Sequence, residues 1–172
     1  TVAMVGLIED PAHITTQWFK NEGDAILLIG APVDSDDAYQ GLGGSAYLKV
    51  RHGMKKGLPP RCDLNVEKKI HDALRGWIAQ GAVQSAHDCS EGGLAVTLAE
   101  CCISGESARH TPHLLGAEVQ LKNSNCGRLD ALLYGETQGR IVISVPSVFV
   151  GKIIGQAELL EIPVHKIGTV GG

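Results

Sequence analysis

The stretch His87-Asp88-Cys89-Ser90-Glu91-Gly92-Gly93-Leu94 sets a carboxylate, a hydroxyl and two glycines directly ahead of an apolar run of helical character. The first N–H groups of a helix have no partner within it and lie at the positive end of its dipole, so a phosphate satisfies both needs there. Gly92 and Gly93 would let a ligand approach the backbone, and Ser90 can offer a hydroxyl to a phosphate. Asp88 is a hard oxygen donor of the kind magnesium takes alongside phosphate oxygens. The same residues also suit a plain helix start, with Ser90 as N-cap and Asp88 as a turn residue. Spacing alone leaves both readings open, and the stretch is neither a Walker A loop nor a dinucleotide fingerprint.

A second group lies at Glu136 and Gln138, in Gly135-Glu136-Thr137-Gln138 ahead of a strong β run. A carboxylate and an amide on such a loop can bind a metal or the polar edge of a ligand, although many exposed turns carry the same residues. Gly41 to Leu48 is a glycine-rich loop and says little by itself. Of seven histidines, His87 adjoins Asp88 and is expected to pack or hydrogen-bond, not to catalyse. His110 and His113 lie in a loop, and no Ser, Cys or Asp is set with them as a triad. The cysteines (Cys62, Cys89, Cys101, Cys102, Cys126) are an odd count of five without C-x-x-C spacing, which fits reduced thiols serving as small buried hydrophobes.

The elements that must position these residues follow from apolar periodicity. Val66, Ile70, Ala73, Leu74, Trp77 and Ile78 form one stripe at the helical period, with Asp63 or Asn65 able to cap it and Gly81 to stop it. Strands are expected at Val2 to Ile8, Ala25 to Ile29, Val83 to Ala86, Ala117 to Leu121, Arg140 to Val145 and Val164 to Val170. Further helices are expected at Ser45 to Val50, Gly92 to Ile103, Leu129 to Leu133 and Val148 to Leu160, with a turn or helical fragment at His13 to Lys20. The Gly92 helix is apolar nearly all round and so is expected to be buried. Strands and helices are intermixed without even alternation, which gives an α+β fold, a mixed β-sheet packed with helices, in a single domain over residues 1–172.

With 44% hydrophobic and 20% charged residues the chain is too apolar to be disordered. The net charge of -4 and scattered basic residues leave no electrostatic footprint for nucleic acid or an anionic membrane. The apolar stretches are strand-sized and no signal peptide opens the chain, so a cytosolic location is expected. A start at Thr1 that passes quickly into a strand-like segment reads as a piece of a longer chain.

Five segments in order, "GGSAYL", "SAHDCSEGGLAVTLAECC", "GAEVQL", "RLDALLYGETQGRIVISVP" and "IGTVGG", closely resemble the carboxy-terminal region of phosphoribosylformylglycinamidine synthase, as does "TVAMVGLIEDPAHITTQWFKNEGD" at the start. The resemblance spans nearly the whole chain, and H-D-x-S-x-G-G-L followed by G-E-[ST]-Q-x-R is specific in combination. It implies the carboxy-terminal half of the second of two fused ATP-using units, with the fold of aminoimidazole ribonucleotide synthase relatives. It further implies an ATP-dependent, amidine-forming ligase of purine biosynthesis. That enzyme phosphorylates the amide oxygen of formylglycinamide ribonucleotide, and ammonia released from glutamine by a glutaminase displaces the phosphate. The implied cofactors are ATP or ADP and Mg2+. The implied partners are the amino-terminal synthetase domains of the same chain and the glutaminase subunit or domain. By the same resemblance Asp88 is a metal ligand and Ser90 a nucleotide contact, beside Gly92 and Gly93, which the helix-start reading makes cofactor-binding, and Glu136 and Gln138 are weaker ligand contacts, vestigial in the second copy. The catalytic histidine of the family belongs to the amino-terminal parts, so no catalytic residue is assigned here and the isolated chain is expected to be inactive. Thr137 stands where Ser is commoner, and Glu91 where Asp is common. The same motifs also fit the carboxy-terminal half of aminoimidazole ribonucleotide synthase or selenophosphate synthetase, or a structural domain whose nucleotide site is lost.

Overall fold

Ala25–Ile29 (β1) is an unbroken apolar run, and such a run can be stable only as a strand covered on both faces. The computed structural model, which describes residues 3–31, 33, 36–103, 114–121 and 128–172, places it at the centre of a five-stranded sheet. The other strands are Ser85–Asp88 (β2), Ala117–Val119 (β3), Ile141–Val145 (β4) and Val164–Val170 (β5), in the order β2-β4-β1-β5-β3. Among the described residues the four ladders are antiparallel, and a parallel bridge joins Thr16 to Ser85.

Alternation along β1 sends Ala25, Leu27 and Ile29 to one face and Ile26 and Leu28 to the other. On the first face lie Leu64–Ala79 (α2) and Ser147–Leu159 (α5), which contribute Ile70, Ala73, Trp77, Ile153 and Ala157. On the second lies Gly93–Ile103 (α3), which contributes Leu94 and Cys101. Burying each large aliphatic side chain of β1 contributes roughly 1.5–3 kcal/mol, and this is what fixes the register of the sheet. Asp63 caps α2 by accepting from Asn65 and Val66 N–H at 2.9 and 3.3 Å, while Trp77 Nε1 donates to Gln156 Oε1 at 2.9 Å to lock α2 onto α5. Two short helices, Ala46–His52 (α1) and Leu129–Tyr134 (α4), complete the α+β architecture.

Five expectations are corrected. Ala3 to Ile8 is not a strand but an exposed extended segment, because Thr16 already takes the outer edge of β2, its carbonyl accepting from Ala86 N–H at 3.1 Å. β2 begins at Ser85, two residues after the expected Val83, which turns into the core instead. α3 is buried on one face only, leaving Val96 and Ile103 exposed. β3 stops at Val119, short of the expected Leu121. The expected 13–20 fragment is reduced to a 3₁₀ turn at Pro11–His13. No helix among the described residues is long and apolar enough to cross a membrane.

Candidate functional site

The antiparallel β2–β4 ladder brings the two sequence motifs together. His87 lies opposite Val142 and Asp88 opposite Ile141, and the ladder runs one step further as Cys89 N–H donates to the Arg140 carbonyl at 2.8 Å. The turn after β2 therefore sits beside the turn before β4. Asp88, Ser90, Glu136 and Gln138 line one cleft of about 450 Å³, together with Glu67 and His71 of α2.

Asp88 points outward, its side chain 70% exposed. The Ser90 hydroxyl donates to Asp88 Oδ2, and this bond, with His87 nearby, holds the carboxyl below the usual carboxylate range against the opposing effect of partial burial. Behind the cleft the Thr97 hydroxyl donates to the Asp88 and Gly93 carbonyls at 3.3 and 3.0 Å, fixing the strand end to the helix.

Glu136 faces the other way. Its Oε1 accepts from Gly92 N–H at 2.9 Å and from Ala46 N–H at 2.8 Å, so one carboxylate serves the starts of α3 and α1 together. One of its two oxygens is thus engaged within the domain. Gly92 and Gly93 are both buried, and Gly93 N–H donates to the Ser90 carbonyl at 3.1 Å. Gly93 has φ +66°, and a Cβ there would lie 2.6 Å from the Gly135 carbonyl oxygen. The backbone that this glycine admits is the end of α4. Gln138 remains exposed in the cleft.

Arg140 escaped the sequence reading, which took it for the first residue of a strand. It is buried, donating from Nη1 to the Gly135 carbonyl at 3.0 Å and from Nη2 to the Leu132 carbonyl at 3.2 Å. It thereby caps α4 and holds the 135–139 turn. A cation opening an otherwise apolar strand, just after a short helix, was the available signal.

His87 hydrogen-bonds as expected, to Glu100 of α3 at 2.9 Å. Cys89 and Cys101 are buried thiols, Cys101 pushed up to about 12 by burial, whereas Cys62 is exposed, contrary to expectation. His110, His113 and Cys126 lie outside the described residues. Among the described residues no three His, Cys, Asp or Glu side chains converge as a full metal cage. An outward carboxylate in a polar cleft nonetheless fits magnesium, which is usually held by one or two carboxylates with phosphates and water completing the shell.

A family model described as "AIR synthase related protein, C-terminal domain" matches residues 21–172. The chain belongs to that family. Among curated relatives, it is 44% identical over 163 residues to the phosphoribosylformylglycinamidine synthase subunit PurL of Prochlorococcus marinus, covering 91% of this chain and 19% of the relative. It is 40% identical over 176 residues to the PurL subunit of an Anaeromyxobacter species, covering all of this chain and 22% of that one. The chain thus spans about a fifth of the length of these relatives. Among solved structures, Thermotoga maritima PurL complexed with FGAR superposes with a TM-score of 0.72 at 18% identity, over 94% of this chain and 26% of that one. At that identity the likeness establishes the shared AIR synthase related fold.

Proposed function

We propose that this chain is the carboxy-terminal domain of the synthetase subunit of phosphoribosylformylglycinamidine synthase. The whole protein would be an ATP-dependent ligase that converts formylglycinamide ribonucleotide and glutamine-derived ammonia to the amidine in purine biosynthesis, in the cytosol. The observation that carries this reading is identity of 40–44% to PurL subunits over 91–100% of the chain. An amide oxygen is a poor leaving group. Phosphorylation lets it depart as phosphate while ammonia forms the new carbon–nitrogen bond.

Within this domain, Asp88 would hold magnesium and the Ser90 hydroxyl would meet a phosphate oxygen of ATP or ADP, with Gln138 on the cleft wall as a further polar contact. Bound magnesium supplies charge neutralisation for the phosphates. Glu136, Gly92 and Gly93 shape the turn that presents Asp88 and Ser90. The exposed apolar segment around Met4, Val5 and Leu7 lies ahead of the family domain, which begins at residue 21, and supports packing against an amino-terminal synthetase domain of the same polypeptide. A glutaminase subunit or domain would complete the assembly.

The test is replacement of the corresponding segment of the Prochlorococcus marinus PurL subunit by this chain, followed by assay for ATP-dependent amidine formation with ammonia. Restored turnover is expected. A folded chimera that binds formylglycinamide ribonucleotide but forms no product would contradict the assignment.

A further inference from the structure

We infer that His87, steadied by Glu100, is a positioning residue for Asp88, setting the carboxylate at the angle in which it takes a divalent cation. The inference rests on the metal–nucleotide reading above and adds to it two residues that do not touch the ligand.

On β2, His87 shares with Ser85 the face covered by α3, from which Glu100 reaches across. The ring is largely covered, its side chain 12% exposed. The 2.9 Å hydrogen bond between His87 Nε2 and Glu100 Oε2 fixes the ring plane. The other ring nitrogen, Nδ1, then lies 3.5 Å from Asp88 Oδ1. That exceeds an ordinary N–H···O bond, so the ring flanks the carboxylate without consuming it. On the opposite side Ser90 engages Oδ2.

The Asp88 carboxylate is thus bounded on both edges while its outer surface stays open to the cleft. A carboxylate held this way loses little rotamer freedom when it meets a cation, and a loose one loses more. The row Glu100, His87, Asp88, Ser90 runs from a helix, through a strand end, to the exposed turn. A purely structural role would only tie α3 to β2.

The two roles separate in the whole protein that carries this domain, with Mn2+ as probe in the presence of ADP and water-proton relaxation reporting the bound ion. Asp88→Ala is expected to abolish this Mn2+ site. His87→Ala and Glu100→Ala are expected to weaken it by about tenfold, the lower end of what outer-shell partners contribute. Affinity for ADP without metal should stay unchanged in both. His87→Asn returns a polar group to the Nδ1 position beside Asp88 and should recover most of the loss, and together with the half-exposed Glu100 variant it carries the test if His87→Ala fails to fold. Mn2+ bound as tightly by the His87 and Glu100 variants as by the parent, while Asp88→Ala loses it, would overturn the positioning role and leave the site standing. Unchanged binding in Asp88→Ala as well would remove the site and the inference together. Equal loss of metal-free ADP binding would assign His87 a structural role and overturn the inference.

Discussion

Glu136 shows how one side chain can answer two needs of the backbone. Its oxygen accepts from the first turns of α1 and α3, and hydrogen bonds to a charged group are worth about 1.5–3 kcal/mol each, with coupling between them expected. Glu136→Ala should lower unfolding stability by about 2–4 kcal/mol in denaturant titrations, with Glu136→Gln costing less because it keeps an oxygen. Asp24 carries the opposite sign. It is buried, and burial pushes its carboxyl above the usual range despite a bond from Asn21. The folded state then holds the Asp24 proton more tightly than the unfolded chain. Its contribution is therefore present below the unfolded value of about 3.9 and lost as pH rises through the raised folded value. Asp24→Asn is expected to raise the melting temperature at pH 7 and to flatten that decline. The residue types at Asp88, Ser90 and Glu136 were legible in the sequence. The direction in which Glu136 points was not, because its two partners are far away along the chain.

At the scale of elements, the α3 junction depends on Gly93, where a side chain would meet the end of α4 at left-handed φ. Gly93→Ala should cost about 2–4 kcal/mol, combining backbone strain with overpacking. Gly151 on α5 faces open space, and Gly151→Ala should stabilise by about 0.5–1 kcal/mol. Thermal melts of the two variants displaced in opposite directions would check both. The stripe from Val66 to Ile78 and the run from Ala25 to Ile29 gave α2 and β1 directly, since period and burial agree there. Ala3 to Ile8 has the same apolar character and forms no strand, because a pattern records that a segment can pair and not which edge is free. Thr16 holds that edge. The exposed flank of α3 was illegible for a related reason: apolar residues there do not reveal which of them face the sheet.

At the scale of the molecule, two helical layers clasp a sheet whose β2–β4 edge opens at the cleft, and residues 3–10 are exposed. Removing residues 1–9 should leave the domain's unfolding free energy within about 0.5 kcal/mol, since residues 3–9 are exposed and bury no side chain in the core. The central claim is that the cleft beside Asp88 takes a magnesium-bound nucleotide. Calorimetric titration of ADP into the whole protein, with and without Mg2+, for the parent and for Asp88→Asn, tests it most directly. The account predicts magnesium-dependent binding that the variant loses although its fold is intact. Equal, magnesium-dependent binding by both proteins would contradict it.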